Sequence, residues 1–247
     1  MLGTSLLGAF AASGATLITS GTAPAAGDFA SDSVNTVAEN QLRVRNSFDA
    51  AGQSFTLGMA GDDDYQLNSI TVLASGTGGS ANESTEGLTI RLYEGTPEDD
   101  GTPLSSTGLA FISGATRNTT PFFEFTFGAG TFNTQADSYI TFEFTPAEIA
   151  AIGNLTAGTE YAFSVGVDPA SEMADIDFRL RRDNSNGYAN GTSFIPSRVL
   201  DGADAGETQN GDAAFVINAT ALPVPEPSSA LLSGLASLAL LARRRQS

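Results

Sequence analysis

The chain has 247 residues and a formal net charge of −17; its 11 basic residues, all arginine, face 28 acidic ones, and Cys, His and Trp are absent. Without Cys there is no disulfide, thiol nucleophile or thiolate metal site, and without His the commonest general base and transition-metal ligand is missing, which excludes Ser-His-Asp and zinc hydrolases. Over residues 27–225, 8 Arg stand against 27 acidic residues, a net −19 that repels phosphate backbones and anionic lipid heads and excludes nucleic acid as a partner.

The N-terminal stretch MLGTSLLGAFAASGATLITSGTAPAAG is apolar and rich in small residues, with no acidic residue before Asp28. Ala23-Pro24-Ala25 supplies an A-x-A-like site, so residues 1–25 read as a secretory signal peptide. No Lys or Arg precedes Arg43, which reduces the charged n-region to the α-amine. Either the signal is weak or translation starts upstream of Met1.

From there a period-two pattern dominates. GQSFTLG and QLNSITVLAS are strand candidates, and GLTIRLYEG puts Leu88, Ile90 and Leu92 on one face with Thr89, Arg91 and Tyr93 on the other. PFFEFTFG turns Phe123, Phe125 and Phe127 inward, and SYITFEFT does the same with Ile140, Phe142 and Phe144. PAEIAAIG, residues 146–153, is the one helical turn, opened by Pro and closed by Gly. EYAFSVGV offers Tyr161, Phe163, Val165 and Val167; DIDFRLRR offers Ile176, Phe178 and Leu180; DAAFVINATAL is the last strand candidate. Eight or more short strands between Gly/Asp/Asn/Ser-rich turns predict an all-β fold: one antiparallel, jelly-roll-like β-sandwich over residues 28–222. About 200 residues suffice to bury one core.

Oxygen-rich turns punctuate the pattern. Asp62-Asp63-Asp64, Asp99-Asp100 and the loop opened by Asp183 are hard-ligand clusters suited to a structural Ca²⁺, the candidate cofactor. None has the ligand spacing of an EF-hand, and turn preference alone also accounts for them. Tyr188, Arg179 and Arg181 are a candidate patch for a saccharide, through stacking and charge-assisted hydrogen bonds. Outward Tyr and Arg that merely decorate a solvated face are the alternative. A carboxylate glycosidase would need two facing Asp or Glu residues, and no local motif nominates a pair. No catalytic residue is therefore assigned, and the chain is expected not to be an enzyme.

The C-terminus reads VPEPSSALLSGLASLALLARRRQS, residues 224–247. Its uncharged run over 230–242 would reach about 20 Å as a helix, against about 30 Å for a hydrocarbon core. The leucines are spread around the helix rather than along one stripe, as expected of a short transmembrane helix over 228–242. Arg243, Arg244 and Arg245 directly behind it place the tail in the cytoplasm and the domain outside.

This order of features resembles the PEP-CTERM sorting signal of Gram-negative bacteria: Pro225-Glu226-Pro227, a short hydrophobic helix, then an Arg cluster at the extreme end. The resemblance covers about 24 residues. It maps the invariant element onto Pro225, Glu226 and Pro227 and the stop-transfer charge onto Arg243 to Arg245. It implies export, a transient stay in the inner membrane, and cleavage near the motif by an exosortase, a membrane protease-transpeptidase. The two prolines keep the segment extended and out of any sheet, which suits a protease cleft. GQSFTLG, NLTAGTEYAFSVGV and NGYANGTSF also resemble the galactose-binding-like β-sandwich ectodomains that often accompany this tail. The expected protein is thus non-enzymatic, exported to the cell surface or extracellular matrix, and structural or adhesive in a polysaccharide-associated layer. The alternatives are a carbohydrate-binding module and, third, a carboxylate-dependent glycan hydrolase or lyase.

Overall fold

The computed structural model describes residues 16–20, 29–30, 41–44, 50–74, 88–98, 110–118, 120–127, 138–167, 178–183, 188, 191–195, 207–209 and 212–223. In chain order the strands are β1 (Thr16–Ser20), β2 (Phe29–Ala30), β3 (Gln41–Val44), β4 (Ala50–Thr56), β5 (Tyr65–Leu73), β6 (Leu88–Glu94), β7 (Thr96–Glu98), β8 (Ala110–Ser113) and β9 (Thr116–Asn118). They continue with β10 (Phe123–Phe127), β11 (Tyr139–Glu143), β12 (Asn154–Leu155), β13 (Glu160–Val167), β14 (Phe178–Asp183), β15 (Ser193–Ile195), β16 (Glu207–Gln209), β17 (Asp212–Ala213) and β18 (Phe215–Ala221). One helix, α1 (Pro146–Ile152), lies between β11 and β12.

The described fold is therefore β-rich and antiparallel. One sheet runs β1-β11-β5-β18-β2, with β12 added beside β5; a second runs β10-β6-β13-β4-β15-β16. Two small sheets, β17-β14-β3 and β7-β8-β9, flank them. The period-two pattern decides which faces meet. Leu67, Ile70 and Val72 of β5, Ile140 and Phe142 of β11, and Ile217 of β18 share one buried cluster with Leu88, Ile90 and Leu92 of β6 and Phe163 and Val165 of β13. Rings cross between the sheets: Phe127 meets Phe142 at 5.1 Å, Phe123 meets Phe144 at 5.7 Å, and Phe163 meets Phe215 at 5.7 Å between centroids. Burying each such side chain stabilises the fold by about 1.5–3 kcal/mol.

The alternation misses one feature. Tyr93 does lie opposite Leu92, but that side is not a solvated face: Tyr93 is buried against Phe111 of β8, stacked at 4.1 Å and 14°. Phe111 in turn meets the ring of Phe194 edge-on at 5.3 Å, and Ala162 completes this second, smaller cluster. The strand β4 runs beneath it without a side chain at Gly52. A Cβ there would lie 2.3 Å from the Phe163 carbonyl oxygen and 2.4 Å from Cζ of Phe194, so glycine is what lets the ring settle on the backbone.

The helix follows from local sequence. Thr145 caps it, its hydroxyl accepting from the Glu148 N–H, while Glu148 Oε2 accepts from the Thr145 N–H at 2.7 Å. Pro146 occupies the first turn and Gly153, at φ 78°, ends it. Ile152 buries the inner face.

Candidate functional site at the sorting junction

The described chain leaves the fold through β18, a central strand bonded to β5 on one side and β2 on the other. Phe215, Ile217 and Ala219 are buried, while Asn218 and Thr220 point outward and both accept from the Asn68 side-chain amide. Register shifts between Asn218 and Ala219, where Asn68 is the extra, unpaired residue on the partner strand β5. The last tie among the described residues is the Leu222 N–H, which donates to the Asp64 carbonyl at 2.7 Å. Pro223 beyond it is exposed. Pro225 is three residues past that tie, within about 10 Å of chain at full extension.

The end of the fold around this exit is a set of tight turns. Asp62 Oδ2 accepts from the Met59 N–H at 2.7 Å and the Asp62 N–H donates to the Met59 carbonyl at 3.0 Å, closing the turn that carries Met59, 74% exposed. Gly158, at φ 73°, runs so close that a Cβ would sit 2.3 Å from the Ala60 nitrogen, and its N–H donates to the Leu57 carbonyl. The Tyr161 hydroxyl accepts from the Thr156 N–H at 2.9 Å, and burial pushes its pKa up. Asp64 thus ties the exit to the turn in which Asp62 bonds Met59.

Among the candidate metal ligands, the Asp62 carboxylate thus already serves the Met59 turn. Asp183 stands opposite Asp212 in the β14–β17 register. Asp99 and Asp100 lie outside the described residues. Among the described residues no group of three or more acidic side chains converges to hold a metal ion.

Of the candidate saccharide residues, Arg179 and Arg181 stand opposite Arg43 and Gln41 in the β14–β3 register, on either side of the buried Leu180. Tyr188 is half-buried and tied to the core. Its hydroxyl donates to the Thr56 carbonyl at 3.2 Å and accepts from the Thr56 N–H at 3.0 Å, and its ring meets Phe215 edge-on at 5.4 Å. Burial raises the phenol pKa, against the opposing effect of the Thr56 backbone bond.

A polar network that the sequence reading did not single out sits beside it. Gln53 and Asp212 are buried, at 0% and 1% exposure. Gln53 Nε2 donates to Asp212 Oδ1 at 2.9 Å, Gln53 Oε1 accepts from the Ala213 N–H at 2.8 Å, and Asp212 Oδ2 accepts from the Tyr188 N–H at 2.9 Å. Together with the Ala214 N–H donating to the Arg181 carbonyl at 2.8 Å, these bonds fasten the β17-β14-β3 sheet to β4. The signal was present: Ala51, Gln53, Phe55 and Leu57 share the inward face, and a polar side chain among them needs a buried partner.

Pro225, Glu226, Pro227, the apolar run 228–242 and Arg243 to Arg245 follow the exit and lie outside the described residues. Among the described residues no helix is long and apolar enough to cross a membrane. Residues 223–246 match the family model of the PEP-CTERM protein-sorting motif. The chain carries a PEP-CTERM sorting signal. The match begins one residue after Leu222. A PEP-CTERM signal implies an exported chain, passed through the membrane to the cell surface and processed by exosortase, a membrane protease. No curated protein and no solved structure matches the chain.

Proposed function

We propose that this protein is a non-enzymatic surface or extracellular-matrix component: an acidic β-sandwich ectodomain of jelly-roll, galactose-binding-like type, delivered by its PEP-CTERM signal and retained in a polysaccharide-associated layer. The observation that carries the reading is the junction. The sorting motif starts at residue 223, just after the central strand β18 and the Leu222 bond to Asp64, so cleavage at Pro225–Pro227 leaves β18 whole. The turn at Met59 and the Gly158 contact brace that end, which suits a domain presented close to a membrane protease and then released intact. The net −19 of residues 27–225 favours a solvated domain that does not adhere to anionic lipid once the tail is gone.

The structural role is tested by fractionating cells that produce the chain together with its matrix polysaccharide. The chain is expected in the polysaccharide fraction and is expected to leave it when the polysaccharide is enzymatically degraded. Recovery of the processed chain wholly in the free medium, whether or not polysaccharide is made, contradicts the assignment.

A further inference from the structure

β1 lies inside the stretch 1–25 that the Ala23-Pro24-Ala25 site would remove, yet it is an integral edge strand. It pairs antiparallel with β11 over all five of its residues, from Thr16 opposite Glu143 to Ser20 opposite Tyr139. In that register Leu17 stands opposite Phe142 and Thr19 opposite Ile140. Phe142 and Ile140 are both fully buried. Loss of β1 would turn β11 into the edge and leave its outer row of N–H and C=O groups unpaired, the situation that invites association with other strands.

The sequence just before the strand offers another boundary. Ser13-Gly14-Ala15 places small residues at the two positions that a signal peptidase reads, directly ahead of Thr16. Upstream of it, residues 2–12 form an apolar run with Leu2, Leu6, Leu7 and Phe10, long enough for the hydrophobic core of a leader, which spans about 7–15 residues. Downstream, TLITS has three β-branched residues among its five, a composition suited to a strand. The Ser-Gly pair thus separates a leader core from a strand, whereas the Ala25 boundary would group the two together and discard both.

We propose that the leader is cleaved between Ala15 and Thr16, so that the mature ectodomain begins with β1 and its sheet is complete from the first residue. The inference concerns the downstream end of the leader and holds wherever translation starts. It requires a chain that is exported, and its N-terminal readout is independent of whether the PEP-CTERM tail has been removed.

The test is N-terminal sequencing and intact mass of the full-length chain after secretion by a Gram-negative host. The first residue is expected to be Thr16. A chain starting at Ala26 or at any other residue, or one retaining its leader, overturns the proposal. Two variants of the full chain give a second readout. Ala15→Glu puts a charge where the peptidase needs a small residue and is expected to leave the precursor uncleaved, while Ala25→Glu is expected to be processed like the parent. Normal processing of Ala15→Glu, or blocked processing of Ala25→Glu, overturns it equally.

Discussion

Replacing Gln53 by Ala removes the centre of the buried network that joins β4 to β17. Three bonds are lost: Nε2 to Asp212 Oδ1 at 2.9 Å, Nε2 to the Ser54 carbonyl at 3.2 Å, and the Ala213 N–H to Oε1 at 2.8 Å. Two of the stranded groups, the Asp212 carboxylate oxygen and the Ala213 N–H, sit in the interior, where an unmet partner costs about 1–3 kcal/mol each. The space left by the side chain adds about 1 kcal/mol or more. The expected loss is about 3–7 kcal/mol, a large part of the 5–15 kcal/mol that typically holds a domain together. At about 2–4 °C per kcal/mol for a domain of this size, Tm falls by about 10 °C. Urea unfolding followed by tyrosine fluorescence, the usable signal in a chain without Trp, measures the change. Gln53→Glu sharpens the test, because it sets a second carboxylate where the amide donated to Asp212. That variant is expected to be weaker than Gln53→Ala at pH 7 and to regain stability on acidification, as one carboxyl takes a proton and donates to the other. A loss below about 1 kcal/mol for Gln53→Ala, with no acid recovery for Gln53→Glu, refutes the network as a stabilising tie.

Gly52→Ala is expected to destabilise by about 2 kcal/mol or more, because its Cβ would enter the Phe163 carbonyl and the Phe194 ring; an unchanged Tm would show that the two clusters are not packed through this backbone. Thr145→Ala removes the cap of α1 and is expected to cost about 1 kcal/mol in the same urea assay, restored in large part by Thr145→Ser. Stability is also expected to fall in alkali. Tyr93, Tyr161 and Tyr188 all have phenol pKa values raised chiefly by burial, so the stability they contribute is fully present below pH 10 and is lost as pH climbs toward their folded values. Tyr93, the most deeply buried, contributes a slope of up to about 1.4 kcal/mol per pH unit over that window, and absorbance titration should show it ionising above free tyrosine. Three tyrosines titrating like free phenol would contradict the packing around them.

The inward rows were legible because period two is a local signal. Leu88, Ile90 and Leu92, or Ile140, Phe142 and Phe144, declare a buried face without any knowledge of the partner strand. The capping segment around PAEIAAIG was legible for the same reason. What periodicity cannot say is whether a second layer covers the other face, and that is how Tyr93 came to be assigned to a polar side that Phe111 and Phe194 bury. Phe111 comes from β8, in the small sheet that follows β6, and Phe194 from β15, about a hundred residues after Tyr93, so their meeting depends on tertiary packing. Tyr188 shows a similar limit: local sequence places it in a loop near arginines and gives no sign that its hydroxyl is held by the Thr56 backbone. The sorting motif was fully legible because a protease reads it as linear sequence, independent of the fold.

The central claim is that the C-terminal segment is a processed address attached to an independent β domain. The direct measurement is the intact mass and location of the chain in cells with and without the exosortase-type protease, for the parent and for the double variant Pro225→Ala with Pro227→Ala. The parent is expected to lose its tail and reach the cell surface only when the protease is present, and the double variant is expected to stay full-length in the membrane fraction. A double variant with the same mass and location as the parent would contradict the claim.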